Sequence, residues 1–319
     1  MTSVSIAICT RDRPHHLRDT LEHLGQVRIP SDWDVEVLVI DNSESDSARP
    51  IFESIDLSRL AARYIPEHQA GQCFARNRAI HEARGEILLW TDDDVRVPIN
   101  WIERMCHPIV NDGADAVAGG VVLPPHYDAV LGRLPHTELR SWFASTEHLN
   151  LVTPDRLVGA NMAFHRRVLS KVPQFDVELG PGGSGATGFG DDTLFTWQLR
   201  EAGYKIVGCL DVAVEHRFEI SRVDRNSLLR TAAKMGRTEA YLFHHWHHQE
   251  SPHAHVRLAW CLLQRFRIAI TERLRGNDQA LVSVAILTIE KKLAFQRELI
   301  IQARRQRNYA RHGLIRLRS

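Results

Sequence analysis

The sequence contains no long uninterrupted stretch of hydrophobic residues. The best candidate, residues 280–289, is about half the ~20 residues that a membrane-spanning helix needs, and charged residues flank it. The first residues run directly into a strand-like segment, without the basic region and apolar core of a secretory signal. We therefore expect no spanning helix and no secretory signal, and we expect a cytoplasmic location.

Cysteine is scarce, and several familiar motifs are missing. The five cysteines are scattered and none are spaced Cys-x-x-Cys, which argues against a disulfide framework and against a zinc ribbon. The P-loop pattern is absent. Residues 183–188 match G-x-G-x-x-G, but no strand leads into them, and Asp191 and Asp192 would place negative charge where a pyrophosphate should bind. A dinucleotide site is therefore not expected there.

The composition is that of a soluble globular protein, but the charge is unevenly distributed. The 319 residues are 44% hydrophobic and 25% charged, with a formal net charge of +1. Residues 251–319 contain 14 Lys and Arg against 4 Asp and Glu, a balance of +10, so residues 1–250 carry −9. An acidic body with a basic end suggests a catalytic part and a part that meets an anionic partner.

Apolar segments rich in β-branched residues alternate with helical patterns through the first half of the chain. Residues 4–9, 35–40, 63–65 and 86–90 are strand-like. This alternation predicts βαβ units and a mainly parallel, Rossmann-like sheet flanked by helices. After residue 224 helical periodicity dominates, which predicts a helical C-terminal extension. We place the boundary between the two parts near residue 220.

Acidic residues follow two of the predicted strands. Asp41 ends the second strand, and three consecutive aspartates, Asp92, Asp93 and Asp94, end the fourth. Ligands of parallel sheets bind beyond the carboxyl ends of the strands. Adjacent carboxylates repel one another, and Mg²⁺ commonly binds one or two carboxylates together with substrate phosphates. A solvated acidic turn is the alternative, but the position at strand ends favours a metal and phosphate site.

A second acidic pair, Asp191 and Asp192, stands at the start of a predicted helix. Six glycines precede it between residues 180 and 190. Helix capping explains one acid at such a position, whereas a pair suits a general base. His216 follows a strand-like segment, so it is either a metal ligand or a structural histidine.

Taken in order, these segments resemble glycosyltransferase family 2, whose members are inverting enzymes with a GT-A fold. The resemblance covers roughly residues 3–218. It is carried by residues 8–14, 39–43, 71–79, 90–94, 159–164 and 190–194. It implies that residues 1–220 form a GT-A catalytic domain and residues 221–319 a basic α-helical region.

The resemblance implies a role for each matching residue. In the donor site, Asp92 and Asp94 occupy the ends of the D-x-D motif. Asp94 would bind Mg²⁺ or Mn²⁺, and His216 resembles a histidine that completes this metal site in some members. The nucleotide-binding residues would be Thr10, Arg11, Asp41, Arg76, Asp92 and Asp93.

At the acceptor side, Asp192 matches the acidic position that acts as the catalytic base. Asp191 replaces the usual glutamate before it, which leaves open which of the two is the base. The Q-x-x-R-W motif of processive synthases is absent at residues 196–200, so the resemblance is to a non-processive enzyme.

The implied reaction is metal-dependent transfer of a sugar from a UDP-, GDP- or dTDP-sugar to an acceptor hydroxyl. The acceptor would be a glycan, a lipid-linked sugar or a cell-surface polysaccharide precursor. A nucleotidyltransferase is one alternative, but residues 10–15 lack the glycine of its phosphate loop. A non-catalytic scaffold with a decayed site is another, and the retention of both acidic clusters argues against it.

The basic C-terminal helices leave two interpretations open. One is a surface for anionic lipid, which would make the enzyme peripheral at the inner face of the membrane. The other is packing on the catalytic domain or on another subunit of a homo-oligomer. Nucleic acid is not an expected partner, because no nucleic-acid-binding module accompanies the arginines.

Overall fold

The computed structural model of the chain describes residues 1–132, 134, 137–147, 156–183, 187–274 and 282–307. The strands within these ranges are β1 (Thr2–Thr10), β2 (Trp33–Asp41), β3 (Ala61–Pro66), β4 (Ile87–Asp92), β5 (Val95–Arg96), β6 (Ala116–Val122), β7 (Asn161–His165) and β8 (Ile206–His216). The helices are α1 (Pro14–Leu24), α2 (Arg49–Ser54), α3 (Gln72–Glu82), α4 (Trp101–Asn111), α5 (Asp128–Leu131), α6 (Asp191–Glu201), α7 (Arg225–His245), α8 (Ala254–Leu274) and α9 (Val284–Gln302).

In the described part of the chain the strands form one sheet in the order β3-β2-β1-β4-β7-β6-β8-β5. The first four neighbours run parallel, as do β6 and β8. β7 is antiparallel to both of its neighbours. The predicted α/β sheet is confirmed, and β7 and the short β5 make it mixed. Hydrophobic periodicity in the sequence carries no information about strand direction.

The apolar strands are buried on both faces because helices cover both sides of the sheet. One hydrophobic core lies between the sheet and α1 and α4, with Leu17, Leu21 and Met105 at its centre. A second core lies under α3 and α6 and contains Ala79 and Leu194. Strands covered in this way read as continuous hydrophobic runs, which explains the pattern in the sequence.

The C-terminal helices pack onto this body. Tyr241 Oη on α7 and Trp246 Nε1, directly after α7, both donate to the buried Asp176 Oδ2, over 2.6 and 3.1 Å. α9 lies so close to α7 that a Cβ at Gly236 would be 2.1 Å from the Lys291 carbonyl oxygen. α8 packs on α9. The domain boundary near residue 220 stays a prediction. None of the described helices is both long and apolar enough to cross a membrane.

Candidate active site

A cleft of about 470 Å³ opens at the carboxyl ends of β1 and β4 and beside the start of α6. It brings together most of the residues that the sequence singled out. Those on its wall are Thr10, Arg11, Arg76, Asp92, Asp93, Asp94, Asp191, Asp192 and His216. The two acidic clusters, about a hundred positions apart in the sequence, therefore share one site.

Asp93 lies at the floor of the cleft and is held from three sides. Thr10 Oγ1 donates to its Oδ2 over 2.6 Å, and Arg13 forms an ion pair with its Oδ1 at 3.0 Å. Thr20 Oγ1 donates to its backbone carbonyl over 2.8 Å. Burial raises the pKa of Asp93 to about 7, although Arg13 acts in the opposite direction. Asp93 therefore anchors the end of β4 to α1 and β1.

Asp94 is buried between two cationic groups. Arg13 forms an ion pair with Oδ2, and His216 Nε2 lies 3.3 Å from Oδ1. Burial alone would raise the pKa of Asp94, but His216 and Arg13 lower it below its ordinary value. Burial alone would lower the pKa of His216, and Asp94 raises it instead. The other ring nitrogen of His216 lies 2.7 Å from the Phe143 carbonyl, which orients Nε2 toward Asp94.

This arrangement fits a divalent metal ion. Asp94 Oδ1 is buried and has no hydrogen-bond partner among the described atoms. It faces an imidazole nitrogen, and a carboxylate oxygen with an imidazole nitrogen is a donor set for a transition-metal ion. The described residues contain no cluster of three His, Cys, Asp or Glu side chains that could hold a metal alone. A metal at Asp94 would therefore need further ligands from a bound diphosphate or from water.

Asp191 is locked in a buried ion pair. Arg76 Nη1 lies 2.5 Å from its Oδ2, and the two side chains are 5% and 7% exposed. Burial raises the pKa of Asp191, with Arg76 opposing. Gly159 makes room for this pair, because a Cβ there would be 2.0 Å from Arg76 Nη2. Arg76 also reaches to within 3.9 Å of Asp92, so it links the two acidic clusters.

Asp192 stands next to Asp191 but has different partners. It is half-buried on the wall of the cleft. Its Oδ2 accepts from the Gly159 amide over 3.2 Å, and its Oδ1 accepts from the Thr193 amide over 2.7 Å. Among the described residues no cation forms an ion pair with it. Gly190, with φ of 90° and no room for a Cβ beside Thr238, makes the turn that presents both acids.

Asp41 and Arg11, both predicted to contact the nucleotide, differ in their access to the cleft. Asp41 is fully buried, and its carboxylate accepts from the Ser43 and Ala48 amides and from Tyr64 Oη, over 2.9, 2.8 and 2.7 Å. It is not among the residues that line the cleft, whereas its buried neighbour Asn42 is. Arg11 is on the wall and exposed to solvent. Their roles in nucleotide binding stay predictions.

The structure adds three arginines that the sequence did not mark as site residues: Arg13, Arg156 and Arg222. Arg13 belongs to a matching motif, so its position beside two aspartates could have signalled a role. Arg222 stacks over the rings of Phe143 and Phe218, 5.6 and 5.4 Å from their centroids. Neither periodicity nor motif spacing marks Arg156 or Arg222, because only the tertiary fold brings them to the cleft.

Comparison with known proteins assigns the chain to a family. The family model for glycosyl transferase family 2 matches residues 5–172, just over half of the chain. The chain belongs to this family and is a glycosyltransferase.

Individual relatives agree with this assignment. The succinoglycan biosynthesis protein ExoM of Rhizobium meliloti (strain 1021) is 27% identical over 263 residues, covering 81% of this chain and 78% of ExoM. The structure is similar to the mannosyltransferase PcManGT of Pyrobaculum calidifontis, solved with GDP-Man and Mn²⁺, with a TM-score of 0.58, 18% identity and 94% and 85% of the two chains covered. It is also similar to GalNAc-T7, solved with UDP, GalNAc and Mn²⁺, with a TM-score of 0.53, 14% identity and 76% and 50% covered. These similarities confirm the GT-A fold.

Proposed function

We propose that this protein is a metal-dependent, inverting, non-processive glycosyltransferase in which Asp192 is the catalytic base. The observation that carries the assignment of the base is the contrast between adjacent aspartates. Asp191 is buried against Arg76, whereas Asp192 faces the cleft without a cationic partner among the described residues. A general base must be free to accept a proton from a substrate in the cleft.

On the donor side, Asp94 and His216 would hold Mg²⁺ or Mn²⁺. The bound metal would stabilise the charge that develops on the departing nucleoside diphosphate. Asp92, the most exposed of the three aspartates at 29% of its side chain, would accept from the ribose or from a metal-bound water. Thr10, Arg11, Asp41, Arg76 and Asp93 would complete the nucleotide site, with Arg76 fixing Asp191 and Asp93 anchoring the end of β4.

On the acceptor side, the carboxylate of Asp192 would take the proton of the attacking hydroxyl. The acceptor oxygen forms a bond to the anomeric carbon as the bond from that carbon to the diphosphate oxygen breaks. Attack opposite the leaving group inverts the anomeric centre. The two backbone amides that hydrogen-bond to Asp192 orient its oxygens, and general-base assistance of this kind typically contributes about 10²–10⁴-fold in rate.

For the substrates, we propose a UDP-, GDP- or dTDP-sugar as donor and a carbohydrate or lipid-linked precursor of a cell-surface polysaccharide as acceptor. Names of similar proteins support this range: ExoM is a succinoglycan biosynthesis protein, and the similar structures were solved with GDP-Man or UDP. We place the enzyme in the cytoplasm, where the basic C-terminal helices bring it to the inner face of the membrane or serve assembly of a homo-oligomer.

The proposal is tested first by ligand-dependent stability. UDP, GDP, dTDP, CDP and ADP are added separately, each with Mn²⁺, Mg²⁺ or EDTA, and the Tm is measured. A ligand that binds only the folded state raises the Tm. We expect one nucleoside diphosphate to do so with metal and not with EDTA. The corresponding sugar donor is then used in transfer assays, and NMR of the product gives the anomeric configuration. Retention of configuration would refute the inverting mechanism.

A further inference from the structure

Helix α8 presents an apolar face to solvent. Along the described helix the exposed large apolar residues recur every three or four positions, a spacing that places them on one side. They are Val256, Trp260, Leu263, Phe266, Ile270 and Leu274, which we call the outer face of α8. Trp260 is 55% exposed, Phe266 65% and Leu274 82%. The opposite side packs on α9, where Cys261 meets Ile289 and Leu293.

An exposed apolar surface of this extent is unusual unless something covers it. Half of the large apolar residues that are strongly exposed in the described chain belong to α8. A groove of about 390 Å³ between α7, α8 and α9 extends the surface, with Leu229 and Leu262 among its lining residues. The outer face therefore has the character of a binding surface.

The charges around the outer face have one sign. Arg257, Arg267 and Arg273 are exposed, and Arg267 lies within the apolar stripe by helical spacing. The one acidic residue of α8, Glu272, is turned toward α9, where it accepts from the Ser283 hydroxyl. Arg265, although 57% exposed, pairs with Glu290 of α9. The outer face thus combines apolar side chains with cations and contains no acid.

We propose that the outer face of α8 docks the enzyme onto an anionic lipid surface, with the helix lying in the plane of the interface. Trp260, Phe266 and their neighbours enter the headgroup and acyl boundary, while arginine side chains extend to the lipid phosphates. Anionic headgroups complement the charge of this face. No other described helix exposes a comparable stripe of apolar residues.

A lipid surface fits this face better than a second copy of the chain. In a two-fold contact the same face would meet itself, and Arg267 of each copy would enter an apolar and cationic surface that offers no carboxylate. The inference deepens the proposed function, because it rests on the lipid-linked acceptor named there and identifies the element that brings the enzyme to it.

The test is sedimentation of the purified full-length protein with vesicles of phosphatidylcholine alone or of equimolar phosphatidylcholine and phosphatidylglycerol. We expect binding to the anionic vesicles to be at least about tenfold stronger, and to weaken with salt. Phe266→Ser and Arg267→Glu should each reduce that binding by about tenfold or more. Ile99→Ser and Arg59→Glu change exposed residues on the catalytic body and are the matched controls, with no expected effect.

Three results would contradict docking of the outer face of α8 on lipid. The inference would be overturned if Phe266→Ser and Arg267→Glu sediment with the anionic vesicles as the wild type does. It would also be overturned if the wild type binds no vesicles. Light scattering could also contradict the inference, by showing that the wild type is a dimer and that Phe266→Ser dissociates it. A second copy would then cover the outer face of α8. Unchanged Tm verifies that the variants fold. Transfer to a soluble acceptor is measured in parallel, so failure of the proposed function is seen separately from failure of docking.

Discussion

The two acidic clusters of the cleft are built from the same residue type, yet their electrostatic surroundings differ. At the end of β4, Asp93 and Asp94 share Arg13, and Asp94 also faces His216. At the start of α6, one acid is neutralised by Arg76 and the other is not. The first cluster is arranged to hold cations, and the second to separate a structural carboxylate from a reactive one.

The comparison shows that the partner of an aspartate, more than its place in a motif, decides what it can do. A carboxylate that shares a buried arginine stabilises the fold and positions its neighbours. A carboxylate that accepts only from neutral donors remains available to a substrate. The following experiments change the partners or the acids, beginning with the largest expected effect.

The first change is Asp192→Asn, which keeps the shape of the side chain and removes the base. We expect the rate of sugar transfer to fall by about 10²–10⁴-fold. Binding of nucleoside diphosphate with metal should change little, because Asp192 forms no ion pair with the described donor-site residues. Steady-state kinetics and calorimetry measure the two quantities. Near wild-type transfer by this variant would contradict the assignment of the base.

Asp191→Ala should act on stability. It leaves Arg76 buried without its carboxylate partner, and breaking a buried ion pair in this way typically costs about 3–5 kcal/mol. Urea unfolding measures the loss. The control is the double variant Asp191→Leu with Arg76→Met, which removes both charges and should recover much of the free energy of unfolding. A loss below about 1 kcal/mol, typical of a surface pair, would show that the pair is not structural.

Asp94→Asn tests the metal site. We expect the affinity for nucleoside diphosphate in the presence of Mn²⁺ to fall by about tenfold or more, because the amide binds a hard cation more weakly than a carboxylate does. Affinity measured with EDTA should be nearly unchanged. Asp93→Asn is the matched control, since Asp93 is bonded to Thr10 and Arg13 and its effect should be smaller. If both variants lose the same affinity for nucleoside diphosphate with Mn²⁺, Asp94 is not distinguished from Asp93 as the metal ligand.

Arg13→Gln tests whether arginine and metal compete for the same carboxylate. Removing the guanidinium leaves Asp94 with one cationic neighbour fewer, so Mn²⁺ should bind several-fold more tightly in the absence of nucleotide. Electron paramagnetic resonance of free Mn²⁺ measures this affinity. Arg18→Gln, a change on α1 at a residue that does not line the cleft, serves as control. Weaker Mn²⁺ binding by Arg13→Gln would show that the arginine supports the metal site.

The same contrast in partners separates two buried histidines. Asp94 raises the pKa of His216, whereas burial lowers the pKa of His245 to about 4. His245 contacts Gln302 at 2.9 Å, and its charged surroundings are His244, Arg305 and Glu178. As the pH falls below 6.5, the unfolded chain takes up a proton at His245 before the folded chain does, so stability is lost down to about pH 4.

His245→Gln should reduce that loss, by up to about 2 kcal/mol between about pH 7 and about pH 5. Urea unfolding at the two pH values measures it. His255→Gln, at an exposed position of α8, is the control and should leave the slope unchanged. If His245→Gln loses as much stability between the two pH values as the wild type does, the buried imidazole does not titrate as described.

The sequence predicted the positions of strands and acidic clusters, but not the direction of β7 or the partners of the acidic side chains. Continuous apolar strands with polar residues at their ends are local patterns, and they located β1, β2, β4 and the acidic clusters. The direction of β7 depends on long-range pairing, and its Asn161 bonds to carbonyls of Gly120 and Val212. The distinction between Asp191 and Asp192 was left open because it depends on Arg76, 115 positions away. Motif spacing places residues near one another but does not assign their partners.

In the proposed mechanism Asp192 accepts the proton while Asp191 stays with Arg76. A crystal structure of the complex with Mn²⁺, nucleoside diphosphate and acceptor would test this assignment. We expect the acceptor hydroxyl within about 2.6–3.2 Å of an Asp192 oxygen, with the pair of Asp191 and Arg76 intact. A hydroxyl that instead contacts Asp191, with Arg76 released to the diphosphate, would contradict it.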